Sequence, residues 1–296
     1  MAVLDETTWT ASQDAHHARV DEWITPHLER ARKGEAHPVH DFLFTYYSQR
    51  PAQLRRWHPG HGVALRGDPP HGHWSGYRTG PDGVAVDPVV VDDRATLINN
   101  TTRVLSAVAA RRAQFGCFGM HEWAMVYRSG PTDIRHTSWP LRLSSTDLAD
   151  VVDSTPLRCT HYDAFRFFTP PARGRNVVQL SRDSMPEHEQ GGCLHTNMDL
   201  YKVAYKLTPL LPAELVADCF ALARQIRELD MRASPYDLSA LGYAAVPVET
   251  PAGRAEYVAA QQAFAASAAA LRGRLLAVLE PLAARLQPDC TSRARA

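Results

Sequence analysis

The chain reads as a predominantly helical α+β protein, with a short hairpin or small sheet set among helices. Three observations lead there. Apolar residues recur at helical spacing over most of the length, as in Val20, Trp23, Ile24, Leu28 and Ala31. Strand-like runs are short, at Gly62 to Leu65, His73 to Arg78, Leu141 to Leu143 and Leu157 to Phe168. The 296 residues hold neither an internal repeat nor a Ser/Gly linker, so one catalytic domain is expected over residues 1–287, followed by a basic tail from Pro288 to Ala296.

Taken in order, Asp14 to Lys33 has the spacing of a surface helix that stops at Gly34. Asp41 to Trp57 carries Phe42, Leu43, Tyr46, Tyr47 and Leu54 on a helix that Pro51 interrupts. His58 to Pro88 is rich in Gly, Pro, His and Asp, which predicts an ordered loop and hairpin. A long amphipathic helix is expected from Asp92 to Phe115, broken by Gly116 and Gly119 and resumed over His121 to Arg128. Helices then dominate, at His195 to Leu207, Ala213 to Leu229 and Ala252 to Leu286, the last with a break expected at Gly273 or Pro281.

Composition narrows the function classes. Lys+Arg and Asp+Glu are equal at 32 each, so the chain has no overall attraction to nucleic acid or to an anionic membrane. No apolar stretch approaches membrane-spanning length, and Met1 to Asp14 lacks the basic start and apolar run of a signal peptide, which predicts a cytoplasmic protein. The five cysteines are an odd number without a C-x-x-C pair, which suits reduced thiols.

Chemistry concentrates in three segments. His195 and Asp199 stand four residues apart at a helix start, on one helical face. His121 is followed by Glu122, but Met125 occupies the place where a zinc-protease pattern needs its second histidine. His161 and Asp163 alternate on a candidate strand and would share a face, the His-x-carboxylate arrangement of mononuclear iron sites. The expected centre is one divalent metal drawn from His121, Glu122, His161, Asp163, His195 and Asp199, with Fe(II) favoured over zinc because the set lacks a thiolate. The competing reading is a polar hydrogen-bond network without a metal. Lys206 or Arg232 would orient an anionic substrate, while His58 and His61 are further candidates to line a cleft. Cys159 and Cys193 each lie near a histidine in sequence, so a cysteine nucleophile is conceivable. Phosphate-cradling glycine motifs and the Gly-x-Ser-x-Gly elbow are absent.

His121 to Arg128, Cys159 to Phe168, Cys193 to Lys202 and Glu228 to Leu238 together resemble an actinobacterial family often labelled "3-methyladenine DNA glycosylase". The resemblance runs from about Pro38 to Ala277. It implies excision of an alkylated adenine from DNA, with a flipped base stacked on Trp123, Phe165, Phe167 or Phe168 and water attack assisted by Asp163 or Asp199. The residues themselves favour a metal-dependent enzyme acting on a small organic molecule, an iron oxygenase ahead of a zinc hydrolase. The glycosylase is the alternative, and a non-catalytic small-molecule-binding protein is the third reading.

Overall fold

A computed structural model describes residues 1–130 and 139–286, and the expected basic tail lies outside them. The protein is α+β and mostly helical, with one small mixed sheet. It packs as two compact units. Among the described residues, the first comprises Met1–Leu105, Tyr201–Phe220 and the part of helix Pro251–Leu286 that begins at Leu271; the second comprises Ser106–Leu200 and Ala221–Ala270. Helices Ala95–Ala110, Leu194–Lys206, Ala213–Arg232 and Pro251–Leu286 each contribute residues to both, so neither unit is a contiguous stretch of chain.

The first unit opens with strand β1 (Ala2–Leu4), which the sequence reading did not foresee, and helix Glu6–Lys33. The helix begins earlier than Asp14 because Asp5 caps it, its side chain accepting from the backbone N–H of Thr8 at 2.8 Å. It stops at Gly34, whose φ of 70° is left-handed and whose N–H turns back to Ala31. Strands β2 (Val63–Leu65), β3 (Tyr77–Gly80) and β4 (Gly83–Val86) complete a sheet in the order β1-β2-β4-β3, with β1 parallel to β2 and the other pairs antiparallel. Trp9, Trp57, Leu65 and Ala213 form a buried cluster against it, each large side chain contributing roughly 1.5–3 kcal/mol through burial.

The second unit is built from short helices and the halves of long ones. Met120–Val126 is anchored by Trp123, fully buried, whose indole N–H donates to the Ala233 carbonyl at 2.9 Å. Gly192 passes so close to Gln114 that a Cβ would lie 2.3 Å from its carbonyl oxygen. Gln261 ties the same turn, donating to the Gly192 carbonyl at 2.6 Å.

Several expected elements differ. The strand expected at Leu157 to Phe168 is instead an isolated bridge, Leu157 with Asn176, followed by the helical turn Tyr162–Phe165 with His161 as its cap. Alternation there was a false signal, since a capping side chain takes the first orphan N–H and starts a helix. Leu141 makes one bridge, to Tyr236. The two aromatic-rich helices Phe42–Tyr46 and Pro51–Arg55 are separate, and Val89–Asp93 precedes Ala95–Ala110. Pro251–Leu286 runs unbroken: a Cβ at Gly273 would meet nothing within 4 Å, and Pro281 near the end forfeits one N–H donor. No helix among the described residues is long and apolar enough to cross a membrane.

Candidate active site

The second unit brings His121, His161 and His195 together. The rings of His121 and His195 are 4.4 Å apart between centroids, and those of His161 and His195 are 5.9 Å apart. Each arrives by a different local device. Gly119, at φ 68°, and Phe118, a non-glycine residue at φ 49°, turn the chain sharply into the helix that carries His121; strained backbone of this kind collects at functional sites. A Cβ on Gly119 would sit 3.0 Å from the Tyr257 ring, so the position is restricted by space as well as by φ.

His161 caps the turn Tyr162–Phe165, its Nδ1 accepting the backbone N–H of Ala164 at 3.2 Å. With Nδ1 as acceptor, the neutral ring carries its proton on Nε2, which faces Asp199 Oδ2 at 3.1 Å and Glu189 Oε1 at 3.7 Å. His195 is the second residue of helix Leu194–Lys206, and its Nε2 lies 3.8 Å from Oδ1 of Asp230. The four-residue spacing therefore puts His195 and Asp199 on one face, yet each engages a different partner.

Asp230 belongs to a buried charge cluster. Arg227, three residues earlier on helix Ala213–Arg232, donates from Nη1 to Asp230 Oδ2 at 2.7 Å and to Glu122 Oε1 at 2.8 Å. Two carboxylates share one guanidinium, and all three groups are at most 2% exposed. Burial, then the charge of Glu122, pushes the Asp230 carboxyl up to about 7. Burial and the neighbouring His121 hold His195 well below its ordinary range, so near neutrality the imidazole is uncharged and Asp230 is the group placed to hold a proton.

A cavity of about 30 Å³ adjoins these histidines. His121 and His195 form its polar wall; Met120, Leu157, Phe168 and Leu194 form the apolar one, with Cys117, Cys159, Cys193 and Tyr257 between. Burial raises the thiol of Cys159 well above its usual range and that of Cys193 to about 12. Both are thus neutral thiols near pH 7, which suits a wall of the cavity rather than a nucleophile.

The remaining candidates lie elsewhere. Asp163 turns to Arg166 at 3.4 Å, because the helical turn replaces the strand that would have aligned it with His161. Glu122 bonds to Arg227. Arg232 donates to the Ala244 carbonyl and pairs with Glu228 and Glu256, and exposed Lys206 belongs to the first unit; neither lines the cavity. His58 and His61 are also in the first unit, where His58 bonds to Tyr77 and His61 lines a separate pocket beside Arg78. Of the aromatics, Phe168 reaches the cavity; Phe165 packs behind it at 5.3 Å, Phe167 lies under the Arg166 guanidinium, and Trp123 is enclosed. Glu189, Arg227 and Asp230 were not singled out from sequence as site residues. The Arg-x-x-Asp spacing at 227–230 was the available signal, since it puts both side chains on one helical face.

Among the described residues, no three His, Cys, Asp or Glu side chains are grouped so as to hold a metal ion. Comparison with protein-family models, curated proteins and solved structures finds no match to the chain.

Proposed function

We propose that the protein is an enzyme that moves protons on a small organic molecule held in the second unit's cavity. One observation carries this reading: His195 lines the cavity while its Nε2 lies within 3.8 Å of a buried carboxyl. The neutral His195 would accept a proton from the substrate and return it, with Asp230 beside it placed to hold a second proton. Arg227 and Glu122 fix Asp230 in place, and His161 with Asp199 supports the neighbouring wall. The apolar side chains exclude water, which strengthens each electrostatic contact. The test incubates the protein in deuterated buffer with a mixture of small organic molecules and follows deuterium uptake by mass spectrometry. Uptake should occur with the wild type and fall at least tenfold in His195→Asn. Equal uptake in both, or none in either, would sink the reading.

A second reading, a divalent-metal enzyme, is favoured by charge. Glu122 and Asp230 are buried against Arg227, and Glu189 and Asp199 are buried beside His161; buried negative charge calls for protons or a cation. His121, His161, His195, Asp199 and Glu189 would then have to turn toward one point to supply the ligands, Fe(II) ahead of zinc. Elemental analysis after anaerobic purification decides: stoichiometric metal, lost in His161→Ala, supports this reading over the first.

A further inference from the structure

Three histidines of the first unit close on one short stretch of chain. We propose that residues 54–58 are an acid-operated latch, held shut by the neutral rings of His16, His58 and His71 and opened when those rings take up protons together.

The clamp comes from three directions. His16, on helix Glu6–Lys33, sets Nε2 on the Leu54 carbonyl at 2.9 Å. His71, on the 3-10 turn Pro70–His73, sets Nε2 on the Trp57 carbonyl at 2.8 Å. His58 itself meets the hydroxyl of Tyr77, on β3, through Nδ1 at 2.8 Å. A carbonyl only accepts, so His16 and His71 donate from Nε2, and each neutral ring keeps its lone pair on Nδ1. Both of those Nδ1 atoms are buried and have no hydrogen-bond partner among the described residues. A proton added there is a buried charge with nothing to accept its N–H, whereas opening hands the ring to water. Burial keeps the Tyr77 hydroxyl protonated, so it donates to His58 Nδ1, and a proton on that nitrogen displaces the donation.

The surroundings act against a charge on these rings. Burial lowers His16 and His71 from the ordinary histidine range, and burial followed by the charge of His71 brings His58 to about 3. His17 and Arg19 face His16, while Arg56, His16 and Arg94 face His58. Glu214 favours the charged form of His16, but its carboxylate already accepts the Trp57 indole N–H at 2.6 Å. His58 and His71 lie 6.3 Å apart between ring centroids, so a first proton disfavours a second while the latch is shut. The shut state resists all three protons and the open state accepts them, which makes proton uptake and opening one event. Opening uncovers Trp57, which is 2% exposed and clusters with Trp9, Leu65 and Ala213.

The test is hydrogen–deuterium exchange of the full chain from pH 7.5 to 4.5, read by mass spectrometry as protection corrected for intrinsic exchange rates. Each proton taken up on opening raises the opening constant by up to about tenfold per pH unit below 6.5. Peptides covering residues 51–58 and 70–77 should therefore lose protection by more than ~10-fold per unit between pH 6 and 4.5, the mark of more than one proton. Peptides covering residues 120–126 and 227–233 of the second unit should hold theirs. His16→Gln and His71→Gln each retain an N–H for the carbonyl and cannot titrate, so they should keep the protection at pH 7.5 and show a shallower dependence. The wild-type dependence decides even where a Gln variant fails to fold. A wild-type loss of tenfold per unit or less, loss in both units together, or an unchanged dependence in both folded variants would overturn the proposal.

Discussion

His161 holds Asp199 through Nε2 at 3.1 Å because its Nδ1 is already committed to the backbone N–H of Ala164 at 3.2 Å. One ring thereby starts a helical turn and secures a buried carboxylate, while His195, on the same helical face as Asp199, is left to Asp230. The two histidines have different structural weight.

His161→Ala should accordingly cost about 1–3 kcal/mol, from the lost cap and the stranded carboxylate. His195→Asn, at a side chain that borders the cavity, should cost about 1 kcal/mol or less. Urea unfolding of both variants measures the difference. Equal losses would contradict the division of roles.

Arg227→Met leaves Glu122 and Asp230 buried without their countercharge and should destabilise by about 3–5 kcal/mol. Adding Glu122→Gln and Asp230→Asn removes the stranded charges. The triple variant should be more stable than Arg227→Met alone in the same unfolding experiment. If it is less stable, the cluster is held by something other than charge balance.

Two buried groups tie stability to pH in opposite senses. Burial, and then the nearby His71, lowers His58 from 6.5 to about 3, with Arg56, His16 and Arg94 acting the same way. The unfolded chain binds that proton first, so this contribution is complete above pH 6.5 and is lost as pH falls toward 3. Asp230 is raised from 3.8 to about 7, so the folded state holds its proton longer. Its contribution is present below pH 3.8 and is lost as pH rises through 7. Each slope reaches at most about 1.4 kcal/mol per pH unit. Melting temperatures from pH 4 to 8 should show His58→Gln flattening the acid limb and Asp230→Asn flattening the neutral one.

The glycosylase resemblance predicts excision of an alkylated base, and the expected result is none. Trp123 is enclosed with its N–H on Ala233, Asp163 is engaged by Arg166, and the chain has no net positive charge. Incubation with duplex DNA containing 3-methyladenine, followed by chromatography of released bases, measures this directly. Release that disappears in Asp199→Asn would favour the glycosylase.

Local signals in the sequence carried much of the secondary structure. Gly34 ends the first helix as its position suggested, and the spacing of His195 to Leu207 anticipates Leu194–Lys206 within a residue at each end. Periodicity and glycine conformation act over a few residues, so they survive without knowledge of the fold. The convergence of His121, His161 and His195 was suggested only by the cost of burying three polar pairs apart. Which carboxylate each imidazole meets was not written in that spacing. Asp163 looked aligned with His161 and is not, because a cap and a strand impose different periods on the same letters. Asp230, thirty-five residues beyond His195, reaches it through the packing of helix Ala213–Arg232. Arg158 carried no motif at all: only the tertiary structure put it on the lining of the cavity, since which residues meet around a space is a property of packing and not of sequence.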